Sequence, residues 1–250
     1  MSAPSRPVIE ARGLSVAAGT RLLLDNVSFE IGAGERVAIV GHNGAGKSTL
    51  LRTLTGFVMA SEGALRILDT EVGRIRDDQG LRALRCRVAN IHQGLHLVAR
   101  LSALDNVLIG GAGRCAAPRS WLRRWPANER HDAHEALRRV GMAWAERRRA
   151  DTLSGGERQK IAVARALHQH APILLADEPT ASLDADAADE LASLLAGLAV
   201  EHRSTLLCVV HDLDLLPRLA DRAIVLRHGT IAADLPVSSK TPEELRSLMK

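Results

Sequence analysis

The sequence predicts an α/β fold: a mainly parallel sheet covered on both faces, with an N-terminal antiparallel β part and an inserted α-helical part. Three observations predict it. The short apolar runs "ERVAIV", "PILLADEP" and "STLLCVVH" read as buried strands. They alternate with helical stretches, the order that builds parallel sheets with crossover helices. Ahead of them, "PVIEARGLSV" and "RLLLDNVSFEI" alternate partly and read as a small antiparallel pair.

In chain order, "ERVAIV" is a central strand entering a glycine-rich turn. A helix is expected from Lys47 to Gly56, with the glycine near its C-terminal end. "RVANIHQ" is the next strand. Residues 104–149 turn helical, broken at Pro118 and Pro126. "LSGGERQKIAVARALHQH" is a glycine turn feeding an amphipathic helix with Ile161, Ala164 and Leu167 on one face. A helix over Asp186–Val200 and the strand "RAIVLRHG" follow. "TPEELRSLMK" closes the chain as a helix capped by Thr241, with Glu244 three residues on. The expected organisation is one domain. Residues 1–93 and 151–235 form its core, 94–150 a helical subdomain and 236–250 a C-terminal helix.

Apolar residues make up 46% of the 250 residues, enough for a full core. The apolar runs fall well short of the ~20 residues that cross a bilayer. The N-terminus lacks the apolar stretch of a secretory signal, so the protein is expected to stay where it is made. Cys86, Cys115 and Cys208 are scattered and fit a reducing cytosol; no thiol metal site is expected. The ten histidines lack a ligand pattern and are expected mostly at the surface. Net charge is only +4, yet residues 100–150 hold eleven arginines against five acidic residues, with Trp121, Trp125 and Trp144. Such a segment is either a docking face for an anionic surface or an ordinary solvated helical face.

"GHNGAGKST" carries the chemistry. Gly41, His42, Asn43, Gly44, Ala45, Gly46, Lys47 and Ser48 match G-x-x-x-x-G-K-[ST], and Thr49 follows, between an expected strand and an expected helix. Glycines let phosphate oxygens approach main-chain amides, and the helix adds the positive end of its dipole. Lys47 reaches β- and γ-phosphates, and the Ser48 hydroxyl ligates Mg²⁺. "ILLADEP" ends a buried strand in Asp177, the expected Mg²⁺ partner, and Glu178, placed to accept a proton from an attacking water. The chain is expected to bind and hydrolyse a nucleoside triphosphate on a P-loop NTPase core.

"LSGGERQ" upstream of "ILLADEPTASLD" resembles the ATP-binding cassette (ABC) family, and the resemblance runs to about residue 235. It implies an ABC ATPase core using ATP and Mg²⁺. By resemblance, Ser154, Gly155 and Gly156 are the signature loop, which meets the γ-phosphate held by a second subunit. A helix N-terminus with two glycines is physically suited to that role. The implied assembly is a head-to-tail homodimer sandwiching two ATP. Asp184 resembles the residue that couples the two sites, His211 the switch histidine on the γ-phosphate, and Gln93 the glutamine that reports on γ-phosphate and Mg²⁺.

One position departs from the family. The aromatic ring that usually stacks on adenine is replaced by Ala18 in "LSVAAGTR", with Val16 left as an apolar contact, and the chain has no tyrosine. Weaker or less adenine-selective binding is predicted. "QGLHLVARLSALDNVLIGGAGR" and "SWLRRWPANERHDAHEALRRVGM" are similar to the ATP-binding subunits of phosphonate importers. That resemblance implies an integral membrane permease as partner, an external solute-binding protein acting through it, and a peripheral position on the cytoplasmic face of the inner membrane. The alternatives are a role in assembling a phosphonate-degrading complex, or import of another small polar solute. A single cassette without long heptad arrays argues against repair and ribosome-associated relatives, so nucleic acid is not an expected partner.

Overall fold

The computed structural model describes residues 6–115, 125–181 and 183–249. Pro118, Trp121 and Ser182 lie outside them. Strands β1 (Ile9–Ala18), β2 (Arg21–Ile31), β4 (Glu62–Ile67) and β5 (Thr70–Glu71) form an antiparallel sheet in the order β2-β1-β4-β5. The second sheet joins β3 (Arg36–Val40), β6 (Val88–Ile91), β7 (Ile173–Asp177), β8 (Thr205–Val209), β9 (Arg222–Arg227) and β10 (Thr230–Pro236). Its order is β10-β9-β3-β8-β7-β6, parallel throughout except for β10 at one edge.

The apolar runs lack polar alternation because both faces of this sheet are covered. The pleat sorts β3 by parity. Val37 and Ile39 enter one core with Leu50 and Leu54 of α1 (Lys47–Leu54) and Val16, Leu24 and Val27 of the antiparallel sheet. Ala38 and Val40 enter the other, with Leu137, Ile161, Leu191 and Leu195. Each such Leu or Ile contributes ~1.5–3 kcal/mol relative to exposure.

The remaining helices are α2 (Asp78–Cys86), α3 (Ala103–Leu108), α4 (Ala127–Arg139), α5 (Gly155–His168), α6 (Ala185–Glu201), α7 (Leu216–Leu219) and α8 (Pro242–Met249). Helices α3, α4 and α5 pack on one another. Thr241 caps α8 as expected: its N–H donates to Glu244 Oε2 at 2.8 Å, and its Oγ1 accepts from Glu244 N at 3.3 Å.

Three features depart from the expected pattern. β4 and α2 were illegible because each buries so little: Leu65 and Ile67 of β4, and Leu84 of α2. The expected long helical run is instead α3, a tight turn over Ile109–Gly113, and α4 beginning after Pro126. Gly110 lets this turn lie against α5, since a Cβ there would lie 2.2 Å from the Arg165 carbonyl oxygen.

The basic segment is more neutral than its composition. Arg114, Arg138, Arg139 and Arg149 pair with Glu129, Glu135, Glu201 and Asp151. Trp125 packs on the core, whereas Trp144 is exposed under Arg148. No helix among the described residues is long and apolar enough to cross a membrane.

Candidate active site

Four adjacent parallel strands deliver the site at one end of the sheet. The glycine loop leaves β3, Gln93 follows β6, Asp177 and Glu178 end β7, and His211 follows β8. Loops beyond the carboxyl ends of parallel strands are where α/β sheets hold ligands.

Residues 41–46 turn sharply from β3 into α1. A side chain at Gly41 would place its Cβ 2.3 Å from the Leu226 carbonyl oxygen. One at Gly46, where φ is +105°, would meet both the Leu23 carbonyl oxygen and Leu24 at 2.8 Å. Gly46 caps α1, no side chain bonds the first turn, and no acidic residue occupies it. The helix therefore presents amide donors and its positive dipole end to the cavity. The loop is braced from behind, because Gly229 N–H donates to the Ala45 carbonyl at 3.1 Å and Asp25 N–H to the Gly229 carbonyl at 2.9 Å. That couples the cradle to both sheets.

Lys47 is buried, its ammonium donating to the carbonyls of Gly41 at 2.7 Å and His42 at 3.0 Å. Burial lowers its pKa, opposed by the charges of Glu178 and Asp177. Asp177 has the opposite problem. Burial and then the neighbouring Glu178 charge raise its pKa, while a hydrogen bond from Ser48 works against them. Its Oδ1 is buried without a hydrogen-bond partner. A buried orphan carboxylate oxygen beside a serine hydroxyl suits a hard cation. Among the described residues no three His, Cys, Asp or Glu side chains gather as a metal cluster, so the chain offers an incomplete shell that phosphate oxygens would complete.

Glu178 stands at φ +51°, a left-handed conformation costing a non-glycine residue about 1–3 kcal/mol. The strain aims its carboxylate between two partners. Gln93 Nε2 donates to Oε2 at 2.9 Å, and His211 Nε2 lies 2.6 Å from Oε1. Buried Gln159 of α5 donates to the Pro179 carbonyl, fixing the turn just beyond.

A cavity of about 220 Å³ opens over the cradle, lined by Arg21, Leu23, Asn43, Gly44, Gly46, Lys47, Ser48, Thr49 and Glu178. Whole small-molecule pockets run ~300–1,000 Å³, so this one accommodates the phosphate end of a nucleotide. Ser154, Gly155, Gly156 and Asp184 are not on its wall. Ser154 caps α5 in a reciprocal pair with Glu157, and space is open above Gly155. Asp184 caps α6, accepting from Ala187 N–H at 2.9 Å. Val16, expected near the base, is fully buried in the core; Leu23 takes its place at the cavity. Gln159 closes the LSGGERQ stretch, but its bond to Pro179 was not legible there, and Arg21 and Leu23 belong to no motif. Only the fold brings them to the site.

Residues 24–181 match the ABC transporter family. The chain belongs to that family. The match includes the cradle, Gln93, the signature residues, Asp177 and Glu178, and stops before Asp184 and His211. Among ABC transporter relatives, a phosphonates import ATP-binding protein of Frankia casuarinae is 44% identical over 90% of this chain and 89% of its own length. A phosphate-import ATP-binding protein of Mycolicibacterium smegmatis is 41% identical over 96% and 91%. A dimeric ATP-binding cassette in a post-hydrolysis state with ADP and Pi superposes with a TM-score of 0.80 at 28% identity, covering 92% of this chain and 98% of the cassette. The ABC ATPase architecture, with one antiparallel and one mostly parallel sheet, is shared.

Proposed function

We infer that the chain is the ATP-hydrolysing subunit of an ABC importer. It works as a head-to-tail homodimer, peripheral on the cytoplasmic face of the inner membrane. Through a separate permease it drives uptake of phosphonate or a related phosphorus oxyanion presented by an external binding protein. The observation that carries this reading is the convergence on Glu178: a strained carboxylate held on both oxygens by Gln93 and His211, at the mouth of an amide cradle.

Residues 41–49 grip the triphosphate through main-chain amides, and Lys47 neutralises its outer phosphates. Ser48 and Asp177 would hold Mg²⁺, with Gln93 beside them, and the ion would supply charge neutralisation at the phosphates. Glu178 takes the proton of the attacking water, and His211 steadies the carboxylate and meets the γ-phosphate. The open helix start at Ser154, Gly155 and Gly156 supports a role toward ATP bound by a second copy, since among the described residues nothing lies within 4 Å of the place a Gly155 Cβ would take. The solved relative that superposes on this chain is a dimer. Asp184 sits at the start of α6, next to Leu183, which packs 3.5 Å from the position a Gly156 Cβ would take. That contact supports its part in coupling the two sites.

A groove of about 780 Å³ beside α2 supports permease docking. Among the described residues its wall carries Arg82, Arg85, Arg114 and Arg165 with exposed Phe57 and Ile109, and no Asp or Glu. The groove also contains His92 and His96, which flank the Gln93 loop, so a helix seated there would feel the nucleotide state. Solute choice lies outside the chain, consistent with similar relatives named for phosphonates and for phosphate.

Glu178→Gln tests the reading. Turnover is expected to fall about 10²–10⁴-fold, the usual worth of a general base. Sizing with ATP and Mg²⁺ should show a stable dimer. A variant that hydrolyses ATP at the parental rate removes Glu178 from its role.

A further inference from the structure

We propose that Arg21 is the base platform of this nucleotide site, its guanidinium plane stacking on the purine where related chains use an aromatic ring. The inference rests on the nucleotide reading above and adds a specificity-determining residue to it.

No aromatic side chain is among the residues lining the cradle cavity. Phe29 is buried in the core, and Phe57 lies under Arg85 in the groove beside α2. Trp125 and Trp144 belong to the helical segment. Ala18, at the end of β1, offers only a methyl group. Its cross-strand partner in the β1–β2 hairpin is Arg21. Paired positions across an antiparallel ladder put Cβ atoms about 4.5–5.5 Å apart, so Arg21 serves the same side of the hairpin that Ala18 leaves empty.

Arg21 is exposed and lines the cavity, and among the described residues no carboxylate or carbonyl holds it. Leu23, two residues along β2 and therefore on the same face, lines the cavity as well. The strand cannot drift from the cradle, because the Leu23 carbonyl abuts both Gly46 and Gly229. A planar cation and an apolar side chain are thus fixed beside the phosphate cradle, on the side the hairpin closes. Guanidinium is weakly hydrated, flat and well matched to π-faces, whereas an ammonium is a hydrated point charge. Any purine can be stacked this way, which fits the predicted loss of adenine selectivity.

The test separates base from phosphate. Calorimetry would measure binding of ATP and of inorganic tripolyphosphate, which has no base, to the full chain and to Arg21→Ala and Arg21→Lys. Stacking on a base is worth ~1–3 kcal/mol, so Arg21→Ala should weaken ATP binding roughly 5- to 150-fold. Tripolyphosphate affinity should stay within about twofold, and Arg21→Lys should fail to restore ATP binding because it keeps the charge without the plane. Equal losses for both ligands, rescue by lysine, or unchanged ATP binding would each overturn the proposal. If the unmodified chain bound neither ligand, the nucleotide reading itself would fall, a result distinct from failure of Arg21.

Discussion

At the scale of single residues, burial decides which groups keep their charge. His168 has no exposed side-chain surface, and burial holds its pKa at about 4. Its Nε2 lies 3.1 Å from Glu129 Oε2, but the alignment makes no hydrogen bond, and Arg114 is the cation that pairs with Glu129. The imidazole is therefore neutral in the folded chain at neutral pH. Unfolded, it takes a proton near pH 6.5. The unfolded state binds more protons between those values, so stability must fall as pH drops from about 6.5 toward about 4. Urea denaturation across that window should show a shallower slope in His168→Gln, by up to ~1.4 kcal/mol per pH unit. An unchanged slope would place the lost stability elsewhere, with His92 the next group to examine, since burial also holds its pKa at about 4.

At the scale of elements, α5 ties the two ends of the machinery together. Its N-terminus presents Ser154, Gly155 and Gly156, Gln159 holds the turn after Glu178, and Arg165 reaches the Gln93 loop. The Arg165 guanidinium donates to the carbonyls of Leu95 at 2.6 Å and His96 at 2.8 Å. Both residues have left-handed backbone, φ +57° and +48°, directly after Gln93 and Gly94. Two strained residues in succession need an external clamp, and a charge-assisted bond is worth ~1.5–3 kcal/mol. Arg165→Ala should therefore lower kcat by about tenfold or more through loss of Gln93 positioning. KM for ATP should change far less, because the cradle is untouched. Steady-state kinetics showing intact kcat would mean that the loop holds itself.

At the scale of the whole molecule, the catalytic end of the sheet and the basic groove are separate surfaces joined by the Gln93 loop. Arg114 is already paired with Glu129 and Arg165 holds the Gln93 loop, so Arg82 and Arg85, with exposed Phe57, are the groups that ask for an acidic, amphipathic partner helix. Coexpressed with its permease, the chain should be recovered from membranes. Arg82→Glu combined with Phe57→Asp should reduce that recovery, with basal ATP hydrolysis in solution preserved because neither residue lines the cradle. Recovery of soluble carbon–phosphorus enzymes in place of a permease would instead favour the complex-assembly role.

The sequence by itself determined the cradle, the Asp177–Glu178 pair, the buried strands and the cap at Thr241. Each depends on a short, contiguous pattern: a glycine spacing, an apolar run ending in acid, a capping pair. Tertiary structure alone decided what those patterns meet. Gln93, Glu178 and His211 leave different strands and touch only because β6, β7 and β8 lie side by side. Arg21 reaches the nucleotide cavity through hairpin register, and Val16 is withdrawn from it by the inward face of β1. The Arg165 clamp spans 69 residues to His96. Local propensity is written in neighbouring residues, whereas long-range packing is a property of the folded chain, so no window of sequence could display it.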